Sequence, residues 1–364
     1  MNDVAPIWLV ADACGDPSRV PEAVCGAMAS AARVEVATGA SPALALWGRP
    51  ECVVRVGPDD PPPAPGSVRV APAPPPPAQQ AHWQVFTLDL DATTVEQSLR
   101  DATVVLTRPW PDILAGAPGY AVRGATVLPW PLSMHVPPPD PKALERATEA
   151  VAAGGYAAIG VTSARAAEAL TEALRQRGEK AAGQRPFLVA IGQATAAALV
   201  TGGLAPDLVA EGGGERLGTA LGEHAAGGRV LLVAAAAGRT EAEDAARALG
   251  AEVDVVAAYG MADPPWRPVF DTWVVEGVRG HAESGVYVTW FSPRGVERGL
   301  RALGDLLRET AWVAVGEVTA EAARALGEPR GGIEVAESAS AQAVREAVVR
   351  LHRARRRRRP EPGR

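Results

Sequence analysis

The sequence predicts an α/β protein with two similar parallel-sheet α/β domains joined by a two-stranded hinge, plus a small N-terminal α/β-like module. Beyond residue 102, short and continuously apolar segments alternate with helix-length segments, which is typical of parallel sheets covered on both faces. Two phrases of the sequence each occur twice and in the same order, which indicates two related domains. Proline-rich segments bracket the first pair of phrases and mark where the chain passes between the domains.

The first hundred residues predict a short module and its connection to the rest of the chain. In residues 1–57, "IWLVADA" and "RVEVATGA" predict strands on either side of a short helix, in a module whose role is unknown. Residues 58–80 are so dense in proline that we expect a polyproline-like linker outside any core. Residues 81–101 form a connecting segment with one strand-like stretch, "HWQVFTLDLD", and one helix-like stretch, "TTVEQSLRDA".

The main domains are predicted from a regular series of strands. In chain order these are "ATVVLTRP", "GATVLPWPL", "YAAIGVTS", "PFLVAIG", "GRVLLVAA", "AEVDVVAAY", "VYVTWFS" and "TAWVAVG". Segments rich in Ala, Glu, Arg and Leu separate them and predict helices, the last in "SAQAVREAVVRLHRARR". The glycine-rich "GGGER" is interpreted as a loop.

The repeated phrases predict the order of the domains. "VTSARAAEAL" is matched later by "FSPRGVERGL", and "AIGQATAAAL" by "AVGEVTAEAARAL". The simplest arrangement is a discontinuous first domain, made of 102–133 and 262–350, with a second domain, 137–259, inserted between its two parts. Residues 351–364 form a basic tail.

Charge and apolar content limit the class of protein. The formal net charge of −6 gives no indication of nucleic-acid binding. No run of about 18 apolar residues predicts a membrane span, and the start of the chain lacks the basic segment of a signal peptide, so we expect a cytoplasmic protein without membrane contact. The three cysteines have no metal-binding spacing, and we expect buried, reduced thiols.

The repeated phrases also contain the candidate binding residues. In open α/β sheets, ligands collect where strands end and helix N-termini present free N–H groups. Each half offers a Ser at a strand end, an Arg two residues later, and a Gly followed three residues later by a Thr. These residues are Ser163, Arg165, Gly192 and Thr195 in the first copy, and Ser292, Arg294, Gly316 and Thr319 in the second. They suit a polyanionic ligand, although Ser and Thr at these positions can equally serve only as helix caps.

Several common chemistries lack their motifs. No GxGxxG follows the first strand, no phosphate-binding P-loop occurs, and no nucleophile elbow of the G-x-S-x-G type is found. The five histidines are scattered without metal-ligand spacing. We therefore expect a site that needs no metal, no nucleotide and no covalent nucleophile.

Residues 102–350 resemble the uroporphyrinogen-III synthase family. The resemblance is carried by "VVLTRP", by "GATVLPWPLSM", by the paired Ser and Gly–Thr phrases, and by "GRVLLVAAAAGRTEAEDAARALGAEVDVVAAYG". It implies two α/β domains with an active site between them, and a cofactor-free hydro-lyase of haem, sirohaem and cobalamin biosynthesis. Such an enzyme cyclises hydroxymethylbilane and inverts its last pyrrole ring.

The resemblance further implies roles for individual residues and partners. Tyr259 is the candidate catalytic residue, assisting departure of the substrate hydroxyl as a hydrogen-bond donor or weak acid. Arg108 and Arg239 are candidates for holding substrate carboxylates. A Tyr beside a hinge can also be a packing residue, and both Arg side chains can instead pair with nearby acids. We expect a monomer with a small-molecule substrate, and an association with the preceding enzyme of the pathway stays open.

Two other functions remain open from the sequence. The chain can be a non-catalytic, synthase-like protein that binds a tetrapyrrole or another polycarboxylate, with the N-terminal module as its output or docking piece. Alternatively, the Arg-rich "RARRRRR" near the C-terminus can bind nucleic acid or another polyanion. Blocks of like charge are usually solvated tails, and positive charge is favoured at a helix C-terminus, so we expect no nucleic-acid partner.

Overall fold

The computed structural model describes much of the chain. The described residues are 7–10, 22–31, 33–37, 50–56, 67–71, 84–87, 97–177, 185–238, 240–280 and 285–358. The chain divides into two compact units: unit 1 is Met1–Met134 with Asp263–Arg364, and unit 2 is His135–Ala262. None of the helices in these ranges is long and apolar enough to cross a membrane.

The N-terminal part of unit 1 forms a parallel five-stranded sheet. Its strands are β1 (Ile7–Val10), β2 (Val34–Ala37), β3 (Val53–Val56), β4 (Val68–Ala71) and β5 (Gln84–Thr87), in the order β3-β2-β4-β1-β5. One helix, α1 (Glu22–Ser30), and a 3₁₀ turn at Pro50–Cys52 accompany the sheet. The half-buried Cys25 of α1 packs against the core, and Cys14 lies outside the described residues.

The predicted linker at 58–80 is wrong at its centre, because β4 lies in the middle of this sheet. Val68 and Val70 are buried, and Arg69 forms an almost fully buried ion pair with Glu35 of β2, with 2.6 Å between Nη2 and Oε2. The short stretch between prolines 65 and 72 carries the strand, and the high proline content around it obscured the signal. With β5 in the same sheet, the module extends past the predicted boundary at residue 57.

The second sheet of unit 1 is also parallel and begins after a 3₁₀ turn at Gln97–Leu99, where the sequence predicts a helix. Its strands are β6 (Thr103–Leu106), β7 (Thr126–Pro129), β14 (Val286–Trp290), β15 (Ala311–Ala314) and β16 (Ile333–Val335), in the order β16-β15-β14-β6-β7. Its helices are α2 (Trp110–Gly116), α3 (Pro118–Ala121), α9 (Arg267–Gly280), α10 (Pro293–Arg308), α11 (Glu317–Ala325) and α12 (Ala341–Arg358). Three fully buried indoles, of Trp130, Trp290 and Trp312, lie in its core.

The last helix continues beyond the predicted start of the basic tail at residue 351. His352 is 1% exposed, and its Nδ1 lies 3.0 Å from the hydroxyl of the buried Tyr287. His352 is therefore packed on the sheet, whereas Arg353, Arg356 and Arg357 are exposed. Residues 359–364 lie outside the described part of the chain.

Unit 2 is built on a six-stranded sheet. Its strands are β8 (Met134–Val136), β9 (Ala158–Val161), β10 (Phe187–Ile191), β11 (Leu208–Ala210), β12 (Arg229–Ala235) and β13 (Glu252–Ala262), in the order β11-β10-β9-β12-β13-β8. Its helices are α4 (Ala143–Ala152), α5 (Ala164–Arg177), α6 (Gly192–Thr201), α7 (Gly214–Ala225) and α8 (Glu241–Ala248). Strand side chains alternate between two cores, one formed with α4, α5 and α6 and the other with α7 and α8.

The "GGGER" stretch is a loop only at Gly212 and Gly213, because α7 begins at Gly214. Glycines at four-residue spacing let α7 approach α8 closely. A Cβ on Gly218 would lie 2.8 Å from Ala245 Cβ, and a Cβ on Gly222 would lie 2.8 Å from Leu249 Cβ. Gly218 and Gly222 are therefore part of a helix–helix contact.

Candidate functional site

The first candidate site lies at the carboxyl edge of the unit 2 sheet. Parallel strands end at the same edge, so residues that follow β9, β10 and β12 are brought together there. Ser163 follows β9, and Gly192 follows β10. Tyr259 is on the longer β13, opposite Ala235 at the end of β12, and therefore reaches the same edge.

Ser163 and Tyr259 are in direct contact, with 3.2 Å between Oγ and Oη. Ser163 Oγ also accepts a hydrogen bond from the Ala166 N–H at 3.1 Å, so this side chain caps α5 and contacts Tyr259. A register shift between Ala234 and Ala235 aligns Tyr259 with Ala235. The ring of His135 lies edge-on to the Tyr259 ring, with 5.4 Å between centroids.

The N-termini of α5 and α6 supply further groups at this edge. Arg165, in the first turn of α5, is half-buried and has no ion pair with any residue in the described ranges. Gly192 starts α6 at φ +70°, a left-handed conformation that favours glycine. Thr195 is 3% exposed, so its hydroxyl lies behind the helix mouth and not at its rim, where the sequence predicts it.

The carboxyl edge of the second sheet of unit 1, the sheet that contains β14 and β15, repeats this pattern with one main difference. Ser292 is exposed and caps α10 by accepting a hydrogen bond from the Gly295 N–H at 3.1 Å. Arg294 is exposed, and Gly316 is the N-cap of α11. Thr319 is 3% exposed and, like its counterpart in unit 2, is buried within the first helical turn. This edge has no tyrosine that corresponds to Tyr259 among the residues that follow its described strands.

Arg108 follows β6 at the unit 1 edge and has protein partners already. Its Nη2 lies 3.1 Å from Asp112 Oδ2, and its guanidinium lies 4.9 Å from the ring centroid of Phe291. Pairing with a nearby acid, the alternative that the sequence left open, is therefore the arrangement observed. Arg239 lies outside the described residues.

Both carboxyl edges are suited to anions. The first turns of α5 and α6 in unit 2, and of α10 and α11 in unit 1, contain N–H groups without intrahelical partners, and the helix dipole is positive there. Arg165 and Arg294 add positive charge beside these groups. The arrangement can bind several carboxylates, and the tyrosine in unit 2 adds a proton donor.

A cavity of 640 Å³ lies at the opposite, amino edge of the unit 2 sheet. Its two arginines are already paired: Arg185 with Asp207, and Arg229 with Asp254. The ring of His224, in the last turn of α7, stacks on Phe187 at 3.7 Å between centroids. Helix C-termini are negative, so this end of α7 disfavours an anionic ligand despite the cavity's size.

The sequence did not indicate His135 as a neighbour of Tyr259. Its position in a proline-rich connecting segment, with no motif around it, gave no sign that β8 would lie beside β13. Only the expectation that two connectors pass between the domains could have suggested a pairing of these strands.

The chain matches one family model, described as uroporphyrinogen-III synthase HemD, over residues 118–344, which is more than half of its length. No curated protein sequence matches the chain. A mutant uroporphyrinogen III synthase from Thermus thermophilus is similar in structure, with 23% identity, coverage of 70% of this chain and 99% of that chain, and a TM-score of 0.48. The uroporphyrinogen-III synthetase of Helicobacter pylori has 14% identity, coverage of 69% and 99%, and a TM-score of 0.45.

Proposed function

The chain belongs to the uroporphyrinogen-III synthase family, and from this premise we propose that it is a hydro-lyase that cyclises hydroxymethylbilane with inversion of the last pyrrole ring. The family places it among the enzymes of tetrapyrrole biosynthesis, with a small-molecule substrate. The contact between Tyr259 and Ser163 at the carboxyl edge of unit 2 is the observation that carries the reaction proposal.

Tyr259 assists the first step of the proposed reaction. Its hydroxyl donates a hydrogen bond to the substrate's hydroxyl as the C–O bond breaks, and water leaves an azafulvene. In this proposal Ser163 Oγ accepts from the Ala166 N–H and donates its own proton to Tyr259 Oη, which leaves the Tyr259 O–H directed at the substrate. The proton that leaves with water is balanced by the proton lost from the last pyrrole when the ring closes.

Ring inversion follows from where the last pyrrole attacks. Attack through its already substituted carbon forms a spiro intermediate, which reopens and closes again with that ring reversed. The protein contributes mainly by holding the flexible substrate in one conformer, because restricting the reacting groups can lower the barrier by several kcal/mol. The same restriction suppresses spontaneous closure to the type I isomer.

The substrate carboxylates are held by the two carboxyl edges. Every pyrrole ring carries an acetate and a propionate, which suit helix N-termini beside arginines. In this proposal Arg165, Gly192 and Thr195 act in unit 2, and the binding residues of unit 1 are Arg108, Ser292, Arg294, Gly316 and Thr319. The two threonines contribute through their backbone turns, since their side chains are buried. Arg239 completes the proposed set from its sequence position alone.

The test uses the purified chain and freshly prepared hydroxymethylbilane. The products are oxidised to porphyrins and separated by isomer, with a reaction without protein as the control. We expect the type III isomer in large excess over the type I isomer. Formation of type I alone, at the rate of the control, would falsify the synthase proposal and favour a non-catalytic protein that binds tetrapyrroles.

A further inference from the structure

A small cavity in unit 1 lies between α2, α3 and α12. Its volume is 20 Å³, enough for about one water-sized group. Its wall includes Leu106 at the end of β6, Phe291 just after β14, and Ala341 at the start of α12. The cavity therefore lies at the carboxyl edge of the second sheet of unit 1, and Arg108 is part of its wall.

Tyr120 contributes its phenol side chain to the wall of this cavity. The side chain is 3% exposed, and its hydroxyl has no hydrogen-bond partner among the residues that the structure describes. Burial raises the pKa of Tyr120 well above its ordinary value, although Arg345, Arg108 and Arg123 lower it. The hydroxyl therefore stays protonated at any working pH and can donate a hydrogen bond.

Arg345 brings an unpaired positive charge to the same cavity. Its Nε is buried without a hydrogen-bond partner, and no carboxylate in the described ranges forms an ion pair with it. The acid in the wall, Asp112, is already paired with Arg108. The wall thus has two guanidinium groups and one carboxylate, and the excess positive charge favours an anionic group.

We propose that Arg345 and Tyr120 form a carboxylate subsite, which binds the end of one acetate or propionate side chain of the substrate. The proposal rests on the proposed function for the identity of the ligand. The guanidinium of Arg345 binds the carboxylate, and the Tyr120 hydroxyl donates to one of its oxygens. The volume admits one carboxylate oxygen and excludes a pyrrole ring.

The first test removes each donor in turn. Arg345→Gln and Tyr120→Phe should each raise KM for hydroxymethylbilane about tenfold, with kcat within about threefold of wild type, because the lost contact binds substrate but does not react. Arg353→Gln, which removes an exposed charge from the same helix, should leave both constants unchanged. Unchanged KM in both cavity variants would overturn the proposal.

A second variant moves Arg345 without removing its charge. A Cβ on Gly119 would lie 3.0 Å from Arg345 Cζ, so Gly119→Ala should displace the guanidinium while α3 keeps its fold. We expect the same rise in KM with an unchanged Tm, which a merely structural role of Arg345 does not produce. If Arg345→Gln fails to fold, Gly119→Ala and Tyr120→Phe still decide the proposal.

A binding measurement separates the subsite from the reaction. The probe is uroporphyrin III, titrated into the wild type and into the Arg345→Gln variant. If the wild type gives only the type I isomer but the variant binds uroporphyrin III about tenfold more weakly, the subsite stands and the synthase proposal fails. Equal affinity in both proteins, together with unchanged KM, sinks the subsite while leaving the synthase proposal in place.

Discussion

At the scale of single residues, Ser163 links the start of a helix to the chemistry of the site. Its Oγ accepts from the Ala166 N–H and lies 3.2 Å from the Tyr259 hydroxyl, so one side chain contacts both α5 and Tyr259. Among the described residues, the hydroxyl of the exposed Ser292 has only the capping bond. The two repeats therefore share a fold motif, while a tyrosine contact is found at the Ser163 end.

Tyr259→Phe should lower kcat about 10- to 100-fold with little change in KM, because the variant keeps the ring but loses the donor to the leaving hydroxyl. Tyr156→Phe is the matched control, since Tyr156 lies just before β9, at the amino edge of the same sheet, and donates to Asp254 at 2.9 Å. Both variants are assayed by the yield and isomer of the porphyrin product. Equal activity in the two variants would remove Tyr259 from the mechanism.

Tyr156 also gives a pH-dependent contribution to stability. Burial and the hydrogen bond to Asp254 raise the pKa of Tyr156 to about 12. In the unfolded chain a tyrosine ionises near pH 10, so the folded state binds this proton more tightly than the unfolded state. The contribution of Tyr156 to the unfolding free energy is therefore fully present below about pH 10. It is lost as pH rises from about 10 towards 12. Urea unfolding at several pH values in this window should show a steeper fall in unfolding free energy for the wild type than for Tyr156→Phe; parallel curves would refute this.

Residue positions were predictable where a repeat exposed them and not where burial decided them. Ser163 and Ser292 were found because a Ser at a strand end is visible in the sequence, and the capping role then follows. Thr195 and Thr319 share the same spacing from a Gly, but the turn of the helix directs both side chains inward. Tyr120 and Arg345 are far apart in the sequence and meet only through packing, so no local pattern could have indicated them.

At the scale of elements, the contact between α7 and α8 depends on the absence of side chains. Gly218 faces Ala242 and Ala245 of α8, and Gly222 faces Leu249, the residue that follows α8. The two helices therefore pack with their backbones close together. This contact covers one face of the unit 2 sheet. The glycines therefore stabilise the unit through packing, although glycine itself is unfavourable inside a helix.

Gly218→Ala should destabilise unit 2 by about 1–3 kcal/mol, because the added methyl group would overlap Ala242 and Ala245 and force the helices apart. Gly280→Ala is the control, since a Cβ there meets nothing within 4 Å. Chemical denaturation of both variants measures the change in unfolding free energy. A Gly218→Ala protein as stable as the control would contradict this description of the contact.

The strands of the main sheets were predictable because each is a continuous apolar run. The exceptions are short or lie in unusual surroundings. β8, β11 and β16 have three residues each and lie at or beside sheet edges, where fewer apolar side chains are required. β4 was hidden by the surrounding prolines, although its own residues alternate as a strand does.

At the scale of the whole molecule, unit 2 has the properties of an independently folding domain. It has a core on each face of its sheet, and its two ends lie on the neighbouring strands β8 and β13. A fragment spanning 134–262 should therefore unfold cooperatively in urea and give dispersed amide signals by NMR. A molten fragment would show that unit 2 needs the rest of the chain. We expect the fragment to have no synthase activity, because the proposed unit 1 binding groups are missing.

We propose that the carboxyl edges bind the tetrapyrrole, although a cavity of 640 Å³ lies at the amino edge of the unit 2 sheet. Hydrogen–deuterium exchange of the full chain, with and without uroporphyrinogen III, locates the binding surface. The first-turn amides of α5, α6 and α10 have no intrahelical partners and should exchange more slowly when a carboxylate binds them. We expect protection there and none at residues 154–157 or 224–229. Protection confined to the amino-edge segments would contradict binding of the tetrapyrrole at the carboxyl edges.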